Sequence, residues 1–360
     1  MLGLSITSSW GNGHATNYRA LVRALTCRGH DVLFLERDKP WYAARRDLPR
    51  PPWGTTRLYG SLDELRSGYA GAVRDADAVI VGSYVPEGVA VGEWVVDTAR
   101  GVTAFYDIDT PVTLAKLARG DHEYLTPRLV RAYRLYLSFT GGPTPARIED
   151  KLGSPCAREF HCLVDPDAHP ILDVEPRWDL GYLGTYSPDR QPALARLLLE
   201  PARRNPALRC VVAGPGYPDD ITWPRNVERI EHVSPAEHPG FYAAQRFTVN
   251  VTRAEMVAAG WSPSVRLFEA AACAVPAMSD VWAGLETFFV PGEEILVPAD
   301  STVVLRTLAG TSDRERRAIG LRARARVLAR HTADQRAAEL EAHLMGVGFA
   351  ATPVRVSPAA

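Results

Sequence analysis

Apolar and polar positions fall in blocks along this chain, and the period changes from block to block. LGLSIT (2–7) is an apolar run that predicts a short buried strand. Downstream, Tyr18, Leu21, Val22 and Leu25 sit at i, i+3, i+4 and i+7, one face of a helix. Gly29 stops that helix, and DVLFLE (31–36) reads as strand again. Strand, helix, strand in this spacing is a βαβ unit and implies a parallel sheet. The alternation continues through strands at ADAVIVGS (76–83), VTAFYD (102–107) and RLYLSFTGG (134–142), with helices at EWVVDTARG (93–101) and PARIEDKLG.

Periodicity then stops. VDPDAHPILDVEPRWD (164–179) is rich in proline and aspartate and reads as a linker. Beyond it, strands are expected at LGYLGT, LRCVVAG, FTVNVT, VPAMSD and EEILV, and helices around 190–204, 235–245, 263–273 and 312–330. A further helix is expected at TADQRAAELEAHL (332–344), before a Pro/Ala-rich end. The pattern predicts an α/β protein of two doubly wound Rossmann-like domains facing a cleft. The division is 1–165 for the N-terminal domain, 166–178 for the linker and 179–330 for the C-terminal domain. A C-terminal helix occupies 331–345 and a loose tail 346–360. Sheets of this kind bind ligands beyond the carboxyl ends of their strands.

Composition narrows the classes. The chain has 360 residues, with 41 Lys+Arg against 42 Asp+Glu, a net charge of −1. That balance gives no basic footprint for nucleic acid or an anionic membrane. No apolar run reaches the roughly 20 residues of a membrane span, and the start lacks the features of a signal peptide. A cytoplasmic location is expected. The five cysteines form no CxxC pair, so they read as small buried hydrophobes rather than a zinc or disulfide framework.

Candidate chemistry begins at Gly11-Asn12-Gly13-His14, between the first strand and helix. Glycines let a ligand approach the backbone, and a helix N-terminus favours an anion. The loop has no lysine for GxxxxGK[ST], and Thr16 stands where GxGxxG needs its last glycine. Neither standard nucleotide-phosphate loop fits. What remains is a close-approach loop with His14 placed to accept a proton from an attacking hydroxyl, or simply to cap and pack the turn. FYDIDTP offers Asp107 and Asp109 on a neighbouring strand tip. Asp107 is the better candidate to orient His14, and Asp109 is equally explained by turn chemistry. The pair also makes a DxD triplet, too common by chance to carry a metal site.

In the second half, WSPSVRLFEAAACAVPAMSD holds the densest signal. Ser262 and Pro263 suit a helix start, and Ser264, Arg266 and Glu269 follow. Arg266 and Glu269 share a face, and a charged pair on so apolar a helix needs a partner. Arginine and free N–H groups can hold phosphate oxygens; a carboxylate can accept from a vicinal diol. Gly184-Thr185, Gly214 and Arg253 end neighbouring strands and face the same rim.

GNGHATNYRALVRALTCRGHDVLFLE resembles the first βαβ unit of glycosyltransferases of the GT-B fold. SPSVRLFEAAACAVPAMSDVWAGLETFFVPGEEILV resembles the donor-binding core of the "glycosyl transferases group 1" type, and is especially similar to the bacterial spore-maturation-protein-like branch. The likeness is strong over the first 40 residues and from Gly181 to Val297, and thin from Lys39 to Ala99. It implies that the first domain binds the acceptor and the second the nucleotide sugar. Glu269 would take the ribose hydroxyls. Arg253 and Arg266, with Gly184, Thr185, Ser262 and Ser264, would hold the diphosphate, and the Gly214 loop would lie near the base. His14 would serve the acceptor beside Gly11, Asn12, Gly13 and Asp109. The last helix would cross back to the first domain. One departure is plain: retaining relatives carry a glutamate eight residues before the ribose-binding one, and Trp261 stands there. Glu255 is off register. That leaves stereochemistry open, with inversion preferred because His14 is available.

The expectation is transfer of a sugar from a UDP-, GDP- or dTDP-linked donor to an acceptor hydroxyl, with no metal or other cofactor, by a monomer or homodimer that binds no nucleic acid. The alternatives are a sugar-nucleotide 2-epimerase of the same fold and a non-catalytic nucleotide-sugar-binding or spore-surface protein. A DxD-metal transferase is a further, weaker one. Trp41, Tyr42, Trp53 and Tyr59 lie where acceptor specificity would reside, but ordinary packing explains each of them.

Overall fold

The structure is a computed structural model that describes residues 1–348. It resolves two compact units. The first comprises Met1–Ser8, Asn17–Phe160 and the described residues from Ala333 onward; the second comprises Ser9–Thr16 and His161–Thr332. The sequence reading put the glycine–histidine loop in the first domain; by its contacts it groups with the second. Of the loose tail expected at 346–360, Gly346 still ends the last helix, and from residue 349 the tail lies outside the described residues.

The first unit is built on a seven-stranded sheet. Its strands are β1 (Leu2–Gly3), β2 (Leu33–Arg37), β3 (Thr55–Tyr59), β4 (Ala78–Gly82), β5 (Val102–Asp107), β6 (Leu135–Ser138) and β7 (Ala157–Glu159). The order is β3-β2-β1-β4-β5-β6-β7 and every pairing is parallel. Central strands are buried on both faces, which is why β4 and β5 read as continuous apolar runs. The helix His14–Cys27 buries Tyr18, Leu21, Val22 and Leu25. The helix Ala333–Gly346 buries Ala337, Leu340 and Leu344.

The second unit holds a five-stranded parallel sheet of β8 (Trp178–Leu183), β9 (Cys210–Ala213), β10 (Val227–Ile230), β11 (Gln245–Asn250) and β12 (Ala277–Ser279). The order is β10-β9-β8-β11-β12. The order reverses at β8, between β9 and β11, so the tips of these strands form a topological switch point, the place where sheets of this class bind ligands. EEILV, expected as a strand, makes only isolated bridges, Met278 with Leu296 and Pro291 with Ile295. Only Leu296 pairs with β12, donating to the Ala277 carbonyl and accepting from the Ser279 N–H, while Ile295 and Glu294 donate back to Val290. None of the five cysteines forms a disulfide; Cys162, Cys210 and Cys273 are buried, whereas Cys27 is exposed.

Candidate functional site

The strand tips of the second unit gather cationic side chains. Arg266 lies in the first turn of the helix Val265–Ala272 and is buried. Its Nε donates to the Leu183 carbonyl and its Nη1 to Asn250 Oδ1 at 2.8 Å, while the guanidinium sits 4.7 Å above the Tyr182 ring. Gly184 is glycine for this reason. A Cβ there would lie 2.7 Å from Arg266 Nη2 and 2.6 Å from Tyr182 Oη. Gly214, at φ +138°, is tighter still: its Cβ would meet the Gly184 carbonyl at 2.1 Å. The Tyr217 hydroxyl donates to that same carbonyl at 3.2 Å.

Arg190 joins Arg266 here, and nothing in the sequence pattern announced it. Its Nη2 donates to the Thr185 carbonyl at 2.5 Å, and its Nε is buried without a hydrogen-bond partner. Burial lowers its pKa first, and the charges of Arg266 and Arg253 lower it further. Arg253 caps the helix Ala254–Ala259. Asp189 is the acid among them. Burial would raise its pKa, but bonds from Ser187 and the Ala254 N–H, with the charges of Arg253 and Arg190, hold it below the usual range. Three guanidiniums against one carboxylate leave a net charge of two positive at the strand tips. Such a cluster of cations has the chemistry to hold an anion. Ser264 occupies the N-cap of the Arg266 helix without bonding it through its side chain. Ser262 is buried and donates to the Gly260 carbonyl. Trp261 takes a left-handed φ of 46° and packs against Gly284.

Glu269, one turn beyond Arg266, looks elsewhere. It is 2% exposed. The Tyr242 hydroxyl donates to its Oε2 at 3.0 Å, His238 Nδ1 stands 3.4 Å from the same oxygen, and His169 Nε2 lies 3.9 Å from Oε1. Burial alone would raise its pKa; the neighbouring His238, then His169 and the Tyr242 bond, bring it down to about 2. The shared face with Arg266 is real along the backbone, but the side chains diverge, one to the strand tips and the other to the helix His238–Ala243. His169 and His238 were not singled out in the sequence, since they lie 100 and 31 positions from Glu269.

The glycine–histidine loop begins with Gly11 at φ +58°, and a Cβ at Gly11 or Gly13 would meet nothing within 4 Å. Asn12 Oδ1 accepts from the His14 N–H at 3.0 Å and fixes the helix start. His14 is buried, and Trp10 packs its ring 4.9 Å from that of His232. Asp107, in the first unit, is fully buried at the tip of β5. Thr113 donates to its Oδ1 at 2.6 Å and Tyr136 to its Oδ2. Burial pushes its pKa up to about 7 against those two bonds, with Asp109 adding to the rise. Both oxygens are therefore engaged inside the first unit. Asp109 caps the helix Thr110–Ala118 from its backbone.

Comparison with known proteins agrees with this geometry. Residues 190–342 match the family described as "Glycosyl transferase-like". No curated protein sequence matches the chain. Among solved structures, sucrose-phosphate synthase from Thermosynechococcus elongatus is 14% identical, over 96% of this chain and 98% of its own, with a TM-score of 0.68. Anabaena HepE, solved with UDP and glucose, is 13% identical over the same shares, with a TM-score of 0.70. An alpha-glucosyltransferase solved with UDP and a 13-mer DNA is 11% identical over the same shares, with a TM-score of 0.69. The fold is GT-B. The family match lies in the segment that builds the cationic strand tips. No helix among the described residues is long and apolar enough to cross a membrane.

Proposed function

We propose that this chain transfers a sugar from a nucleoside-diphosphate sugar to an acceptor hydroxyl. The observation that carries the reading is the Arg190, Arg253 and Arg266 cluster, with its surplus of two positive charges and its unpartnered Arg190 Nε. A diphosphate brings the matching negative charge. As the bond from the anomeric carbon to the diphosphate oxygen breaks, that oxygen gains charge, and fixed guanidiniums stabilise it without reorganising. The new bond joins the acceptor oxygen to the anomeric carbon, and His14 takes the acceptor's proton. Arginine and the helix start at Ser264 supply the stabilisation that a divalent ion would otherwise give, so the step runs without metal. The UDP-bound neighbours support the donor class. Glu269 is outside this set, because its carboxylate faces His169, His238 and Tyr242.

The test is thermal stability with UDP, GDP, dTDP, ADP and CDP, each with and without magnesium. A nucleotide at 100 times its Kd should add about 2.7 kcal/mol. The expected result is stabilisation by one base, indifferent to magnesium and lost in Arg190→Ala. No shift with any nucleotide, or a shift that survives Arg190→Ala, overturns the reading.

A further inference from the structure

We propose that His169, His238 and Glu269 form a site for a transition-metal dication of the zinc type, separate from the transfer step. All three are buried, and their ligating atoms lie within 4.8 Å of one another. The donors come from three segments of the second unit: the irregular stretch after Val164, the helix His238–Ala243 and the helix Val265–Ala272.

The contacts around the cluster aim its donor atoms at one another. His169 Nδ1 lies 3.0 Å from the Asp165 carbonyl, which can only accept, so that nitrogen carries the proton. Its Nε2 faces Glu269 Oε1 at 3.9 Å and has no hydrogen-bond partner. His238 Nδ1 stands 3.4 Å from Oε2, while its ring bonds the Val233 backbone. Two buried ring nitrogens converge on one buried carboxylate, a three-donor arrangement that can close on a metal ion. The outer contacts are those of a metal site. A backbone carbonyl fixes the His169 tautomer, and the Tyr242 hydroxyl orients the carboxylate.

Donor chemistry selects the ion. Two imidazoles and a carboxylate suit zinc or cobalt, whereas magnesium and calcium take oxygen ligands. Bonds of about 2.0–2.2 Å in a tetrahedron place donors roughly 3.3–3.6 Å apart. The His238 separation from Oε2 already fits, whereas His169 lies 3.9 Å from the other oxygen and the three donors spread over up to 4.8 Å, so His169 must move inward to close the site. His169 stands in a stretch without regular structure, which can supply that movement. The ion would pin this stretch to both helices, a structural rather than a catalytic role.

The experiment uses the full chain, stripped with chelator and titrated with Zn²⁺, and with Co²⁺ as a spectroscopic probe. One equivalent of either should bind, with the visible absorption of tetrahedral cobalt and a rise in melting temperature on adding zinc. His169→Gln lies outside any helix and tests the site without disturbing a packed element; His238→Ala is the second variant. Each should lower zinc affinity by more than the roughly 10–100-fold typical of an outer-shell change. No tight binding by the wild type, or the same stoichiometry and spectrum in both variants, overturns the site and leaves an ion-paired histidine–glutamate cluster. Neither outcome depends on turnover, so failure here is distinct from failure of the donor site.

Discussion

At the scale of the residue, position in the chain and direction of the side chain are separate facts. Arg266 and Glu269 are three apart, yet one reaches Leu183 and Asn250 while the other reaches Tyr242 and two histidines. Asp107 was legible as a strand-tip acid, but its burial was not. Its folded pKa, about 7, lies above the ordinary value, so the folded state holds its proton more tightly than the unfolded chain. The associated stability is complete below the unfolded pKa near 3.8 and is lost as pH rises through about 7. The melting temperature should therefore fall from pH 5 to pH 8, and Asp107→Asn should flatten that slope; an unchanged slope removes Asp107 as its source. His14→Ala should cut kcat by about 10²–10⁴-fold if His14 is the base. A kcat within a few-fold of wild type would take His14 out of the chemistry.

At the scale of the element, the strands that escaped the sequence pattern share one property. β3, β7 and β10 are all sheet edges. An edge strand is half solvated, so its residues are mixed rather than apolar. β10 reads VERI, and its Glu228 bonds Arg177 and Trp178 while Arg229 stacks on Tyr217 and Trp223. Central strands, buried on both faces, announced themselves. The tips are where an element meets function. Gly184→Ala would place a methyl against Tyr182 Oη and Arg266 Nη2. The expected outcome is a loss of about 1–3 kcal/mol of stability from overpacking, and weaker nucleotide binding as Arg266 is displaced. Calorimetry with and without nucleotide measures both, and unaltered binding would remove Arg266 from the donor site.

At the scale of the whole molecule, the chain lends Ser9–Thr16 to the second unit, leaves the first unit at Phe160, builds the rest of the second, and returns at Ala333. The returning helix is held by polar and apolar contacts together. Arg28 meets Glu341 at 2.7 Å and Asp334 at 3.1 Å, His30 meets Glu341 at 2.8 Å, and Leu340 and Leu344 are buried. A chain ending at Thr332 should lose roughly 1.5–3 kcal/mol for each of those leucines. Its first unit should melt earlier while nucleotide still stabilises the second. Loss of both together would show that the units do not melt separately.

Periodicity along the chain determined the α/β class, the parallel sheets and the glycine-marked strand tips, because local burial imposes those patterns on neighbouring residues. Only the tertiary structure decided that Arg190 joins Arg253 and Arg266, that Asp107 is closed off by Thr113 and Tyr136, and that Glu269 meets His169 and His238. Those groups are far apart in the chain, and parallel crossovers bring them together at distances that no local pattern encodes.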